Sequence, residues 1–176
     1  MPDLQVLAAR AQLGDRAALE SMLRELEKPL RAHIQGIVRD YDVAQDVLQE
    51  TLIIIYKKLG SLTEPMLVRS WSYRIATREA VRASRKAGRN IDFSEQIVSA
   101  SNDSPAEDLD KDLIERIYGR IDQLPLACGV VVRMRYVDSL SQAEIAEALS
   151  IPVGTVKSRI AYGLTILRNE LAAGRS

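Results

Sequence analysis

The sequence predicts an all-α fold of two small helical domains, residues 1–90 and 111–176, joined by a flexible acidic linker over residues 91–110. Three observations lead there. Apolar residues recur at three- to four-residue intervals through both halves, and no stretch alternates with period two between hairpin turns. The stretch Asn90 to Pro105 (NIDFSEQIVSASNDSP) is rich in Ser, Asn and Asp, holds no sustained helical period and ends in a turn-prone Asp-Ser-Pro. Charge is segregated although it sums to zero: residues 1–90 hold 15 Lys+Arg against 11 Asp+Glu, 91–115 hold 1 against 8, and 116–176 hold 8 against 5. Two basic modules therefore flank an acidic connector.

With 176 residues and 47% hydrophobic content the chain has material for two real cores. Its longest uninterrupted apolar run, Leu52 to Tyr56, is far shorter than the roughly 20 residues that span a bilayer. The amino terminus shows no basic-then-apolar signal pattern, so a cytoplasmic protein without membrane insertion is expected. One cysteine, Cys128, cannot form an internal disulfide, and with His33 as the single histidine no zinc ligand set can be assembled. Cys128 lies in an apolar stretch and reads as a small buried hydrophobe; His33 reads as structural. There is no glycine-rich phosphate loop, metal cluster or nucleophile–base pairing. An enzyme is therefore not expected, and no catalytic residue, metal or cofactor is assigned.

In the first half, Asp3 is placed to cap a short helix that stops at Gly14, and Asp15 to cap a longer one reaching about Arg39. Pro29 inside that segment predicts a kink or break near Lys28, because proline removes an amide donor and clashes with the preceding turn. A third helix is expected from a cap at Asp42 to about Leu59, with Val43, Val47, Leu48, Ile55 and Leu59 at helical spacing. Ile53 to Ile55 favour a strand locally, but the run from Asp42 to Leu59 without Gly or Pro outweighs them. Pro65 opens a fourth helix through about Ala87, closed by Gly88.

On that fourth helix Arg74, Arg78, Arg82, Arg85 or Lys86, and Arg89 follow one another at three- to four-residue steps, with Glu79 as the nearby opposing charge. They form one basic stripe suited to tracking phosphates. Tyr73, at its edge, is the candidate for stacking on an unpaired base, an interaction worth about 1–3 kcal/mol. Trp71 reads instead as core, in an apolar row with Leu67 and Ile75.

In the second half, Ser141-Gln142-Ala143-Glu144 forms a capping box before Ile145, Ala146 and Leu149. Leu149-Ser150-Ile151-Pro152 makes a turn, and Val153 to about Leu171 a second helix, giving a helix-turn-helix. Val156, Ile160, Leu164, Leu167 and Leu171 share its apolar face, which leaves Thr155, Ser158 and Tyr162 opposite, flanked by Lys157 and Arg159. Small polar residues with basic flanks near a helix amino terminus suit a major groove.

Both halves resemble one family. Asp46-Val47-Leu48-Gln49-Glu50 and Val68-Arg69-Ser70-Trp71-Ser72-Tyr73-Arg74-Ile75-Ala76 are similar to region two of the extracytoplasmic-function sigma factors. Leu124-Pro125, Arg135-Tyr136-Val137, Leu140 to Ala146, and Val153 to Arg159 are similar to their region four. The resemblance implies a transcription initiation factor, a monomer when free, whose partners are core RNA polymerase, promoter DNA and an anti-sigma factor. It implies that Asp46, Gln49 and Glu50 dock on a coiled coil of the polymerase's largest subunit. Tyr73, Arg74, Arg78, Arg82, Arg85 and Lys86 would serve the minus-ten element, and Thr155, Lys157, Ser158, Arg159 and Tyr162 the minus-thirty-five element. The acidic connector would thread the polymerase's active-site cleft.

The sequence departs from the family pattern at Ser150, where glycine is usual, at Pro152, where a hydroxyl cap is common, and at Gln45, where an acid is usual. The residues after Arg159 are also less basic than is common. The rival functions are a sigma-like decoy that only binds an anti-sigma factor, which would need a switch domain, and a dimeric repressor, which would leave the first half unexplained.

Overall fold

The computed structural model describes residues 3–88 and 119–173, with side chains as far as residue 170. All regular elements among them are helical, and the chain divides into two compact units, Met1–Asn90 and Ile91–Ser176. The acidic connector, Arg89 and the side chain of Leu171 lie outside the described residues.

Carboxylates start the first three helices. Asp3 accepts from the Gln5 amide at 3.3 Å to open α1 (Leu4–Gln12). The chain then reverses at Gly14, whose φ of 93° suits a residue without a side chain. Asp15 accepts from the Ala18 amide at 3.0 Å and opens α2 (Arg16–Val38). That amide and the Arg10 guanidinium, 2.6 Å away, hold the Asp15 carboxyl below its ordinary range.

α3 (Tyr41–Lys58) is capped by Asp40, which accepts from Val43 at 3.1 Å; the cap expected at Asp42 lies inside the first turn instead. An acid there still interacts favourably with the helix dipole. The turn before the fourth helix, Pro65–Leu67, is 3₁₀, and α4 proper is Val68–Lys86.

Of the kink or break expected near Lys28, the break does not occur: α2 is continuous through Pro29. Its row Met22, Leu26, Leu30, Ile34 and Ile37 is buried on both sides of the proline, and the helix packs against α1, α3 and α4. Each such side chain contributes about 1.5–3 kcal/mol on burial, against about 3 kcal/mol for an interior proline. Packing therefore outweighs the local penalty. The Gln12 amide ties α1 to the end of α3, donating to the carbonyls of Leu59 at 3.0 Å and Leu62 at 2.6 Å.

In the second unit a 3₁₀ turn, Ile121–Gln123, leads into α5 (Leu126–Tyr136), α6 (Gln142–Leu149) and α7 (Val153–Ala173). The capping box of α6 is complete: Ser141 Oγ accepts from Glu144 N at 3.2 Å, and Glu144 Oε2 accepts from Ser141 N at 2.7 Å. Ser150 ends the helix in the left-handed region at φ 55°, and Ile151 N returns to Ala146 O at 3.0 Å. The serine thus performs the backbone task usual for glycine. α7 packs on α5 and α6. At Gly163 a Cβ would stand 2.8 Å from Val132 Cγ2 and 3.5 Å from Leu124 Cδ1, so the closeness of α5 and α7 requires glycine there.

A non-glycine residue in the left-handed region costs about 1–2 kcal/mol. Ser150→Gly should therefore stabilise the second unit, by about 1 kcal/mol once glycine's extra unfolded-state freedom is subtracted. Slower amide hydrogen exchange in α6 and α7 of the full chain is the expected readout. Faster exchange would show that the serine side chain compensates the strain.

Candidate functional site

On α3 the core-facing residues Ala44, Val47, Leu48, Thr51 and Ile55 are buried, and the Thr51 hydroxyl donates to the Val47 carbonyl at 2.7 Å. Asp42, Asp46, Gln49 and Glu50 are exposed on the other side. Two residues of the apolar run, Ile53 and Tyr56, to which the sequence assigned no surface role, continue this exposed face toward the helix end. Gln45, in the position usually acidic in the family it resembles, accepts from Arg31 at 2.6 Å and donates to Tyr41 Oη at 3.0 Å. It braces the start of α3 against α2.

On α4, Arg78, Arg82, Arg85 and Lys86 are exposed and Arg74 is half-buried. Arg82 pairs with Glu79 at 3.2 Å. An exposed pair of this kind is worth about 0–1 kcal/mol, so it does not withdraw the arginine from other partners.

Tyr73 requires a correction: it is 1% exposed, and its ring meets His33 edge-on at 5.0 Å. It is a core residue in this structure, not a surface for a base. The reason is a second row one residue out of phase with the arginines, formed by Tyr73, Thr77, Ala80 and Ser84, all buried. Two buried hydroxyls on this side of the helix return to their own backbone. Ser72 donates to Val68 O at 2.7 Å and Thr77 to Tyr73 O at 2.7 Å. Trp71 is buried, as its row predicts, whereas Leu67 and Met66 before it are exposed.

At the start of α7, Lys157 is exposed, while Thr155, Ser158 and Tyr162 are half-buried. Ser158 Oγ donates to Thr155 O at 3.0 Å. Arg159 requires the second correction: it is 0% exposed. It stands with Val156, Ile160, Gly163, Leu164 and Leu167 on the packed face, not on the flank the helical wheel suggested. Burial raises the Cys128 thiol above its ordinary pKa, and the Arg159 charge partly opposes that shift. The exposed side of α7 instead carries Val153, Gly154, Lys157, Thr165 and Arg168.

Residues 22–90 match the family Sigma-70 region 2, and residues 114–167 match Sigma-70, region 4. The RNA polymerase sigma-H factor of Pseudomonas aeruginosa is 30% identical over 168 residues, covering 89% of this chain and 87% of that protein. The ECF RNA polymerase sigma-E factor of Escherichia coli is 31% identical over the same length and coverage. The chain belongs to the extracytoplasmic-function sigma factors of the sigma-70 family.

The fold of this sigma factor is also similar to that of CnrH in the structure of its complex with the cytosolic domain of CnrY. The TM-score is 0.70 at 20% identity, with 97% of this chain and 99% of that one covered. As a sigma factor the protein directs transcription, associating with RNA polymerase and DNA, and its relatives are initiation factors rather than enzymes. The α3 face and α4 stripe lie within the region 2 match, and the helix-turn-helix as far as Leu167 lies within region 4. Among the described residues no helix is long and apolar enough to cross a membrane.

The burial difference between Arg159 and Lys157 at the start of α7 separates two roles. Arg159→Ala should destabilise the second unit by about 2–4 kcal/mol, through the cavity and any buried polar partner left behind. Lys157→Ala should change stability by less than about 0.5 kcal/mol. Chemical unfolding of the two variants tests this, and equal stability would return Arg159 to the surface.

Proposed function

We propose that this sigma factor binds core RNA polymerase through Asp46, Gln49 and Glu50 and places α4 and α7 on promoter DNA. The carrying observation is the division on α3: the acids and amide are exposed while the apolar residues between them are buried. A surface of this composition suits a basic helical partner. Arg74, Arg78, Arg82, Arg85 and Lys86 engage the backbone of the minus-ten element; Thr155, Lys157, Ser158 and Tyr162 face the minus-thirty-five element as duplex. An anti-sigma factor that masks the α3 face would hold the protein inactive, a reading supported by the likeness to CnrH in its complex with CnrY.

Charge reversal at Asp46 and Glu50 should weaken binding to purified core polymerase at least tenfold while leaving the unfolding transition unchanged. Unaltered affinity would remove these residues from the docking face.

Replacing Arg78, Arg82 and Arg85 by alanine should weaken promoter binding by holoenzyme and flatten its salt dependence. Each duplex phosphate contact contributes about 0.9 to the slope of log affinity against log salt. An unchanged slope would assign the stripe to a protein partner. Run-off transcription from genomic fragments separates initiation from a decoy role, since a decoy gives no factor-dependent start sites with core polymerase.

A further inference from the structure

Val153, Gly154, Lys157, Ser158 and Ala161 lie one, three, one and three residues apart and so share one side of the first turns of α7. Val153 is 41% exposed, whereas Val130, Val131, Val132 and Val156 of the same unit are buried. Gly154 has no internal reason to be glycine: a Cβ there would meet nothing within 4 Å, and its φ is not left-handed. Gly163, further along the same helix, does have a close neighbour, Val132. Glycine within a helix costs about 1 kcal/mol relative to alanine, and at an open position it leaves the backbone approachable from outside.

An exposed isopropyl group, an approachable backbone and a lysine one turn further on match the chemistry of a major groove. Thymine presents a C5 methyl there, and guanine presents two acceptors for a lysine; the minor groove offers no methyl. Resting on the reading of α6 and α7 as a duplex-binding helix-turn-helix, we propose that Val153 is a specificity-determining residue. Its side chain packs on the C5 methyl of a thymine in the upstream element, beside the base that Lys157 reads. Gly154 lets the strand approach closely enough for that contact.

The test uses holoenzyme made from the full chain and a pool of promoter duplexes randomised through the upstream segment. Selected duplexes are then resynthesised with deoxyuridine, which lacks the methyl, at each thymine in turn. Wild type should prefer thymine over deoxyuridine about fourfold at one position, the effect of removing one methyl from an apolar contact. Val153→Ala should reduce that ratio toward one and leave the preference at other positions intact, and Lys157→Ala should preserve it. Gly154→Ala should weaken selected duplexes without lowering thermal stability.

Equal use of thymine and deoxyuridine at every position, or a methyl preference indifferent to Val153→Ala, overturns the inference while leaving duplex reading in place. A uniform loss on all templates in Val153→Ala also overturns it, since that would set Val153 against protein. If wild type selects no upstream sequence although it binds core polymerase, the duplex-reading role falls, and the inference with it.

Discussion

Thr77 has one hydroxyl proton, and it goes to the Tyr73 carbonyl at 2.7 Å. The His33 Nε2, 2.9 Å from Thr77 Oγ1, is therefore placed to donate to that hydroxyl oxygen. His33 comes from α2 and Thr77 from α4, and both are buried. This bridge, with the Tyr73 ring set edge-on to His33, joins the apolar packing in setting how α4 is rotated against α2. The rotation matters because α4 carries its cations one residue out of phase with that seam. A turn of a single residue would carry Arg74 and Arg78 into the buried places of Tyr73 and Thr77. The structural role of a lone histidine and the placement of the basic stripe are thus linked.

The second unit solves a similar problem with volume rather than hydrogen bonds. Gly163 allows α7 to approach α5 until Val132 fills the space a Cβ would need. That closeness brings Val156, Arg159, Ile160, Leu164 and Leu167 inward together and leaves Val153, Gly154 and Lys157 outward. Ser150, held in the left-handed region, sets the direction in which α7 leaves α6. The backbone strain there is modest beside the apolar burial that it permits. A change at Gly163 or Ser150 would therefore alter how the exposed side of α7 is presented.

α3 joins the two themes within the first unit. Its buried side completes the core with α2 and α4, and its outer side runs from acids and an amide to the apolar pair Ile53 and Tyr56. Gln45, where the family usually has an acid, still engages Arg31: it accepts from the guanidinium and donates to Tyr41 at once. The departure from the usual acid is therefore compensated inside the structure.

Much of this was legible in the sequence because it is local. Helical periodicity, the caps at Asp3 and Asp15, the capping box at Ser141 and Glu144, and the exposed acids of α3 all follow from spacing and side-chain chemistry within a turn or two. What the tertiary structure decided concerns residues whose local signal was ambiguous. Tyr73 and Arg159 sit beside polar faces on a helical wheel, and which way each turns depends on partners distant in sequence, His33 for one and the α5 packing around Gly163 for the other. Pro29 reads locally as a break, yet the buried row on either side of it holds α2 together. Spacing determines which residues share a face of a helix; only packing against another helix determines how far round that face is covered.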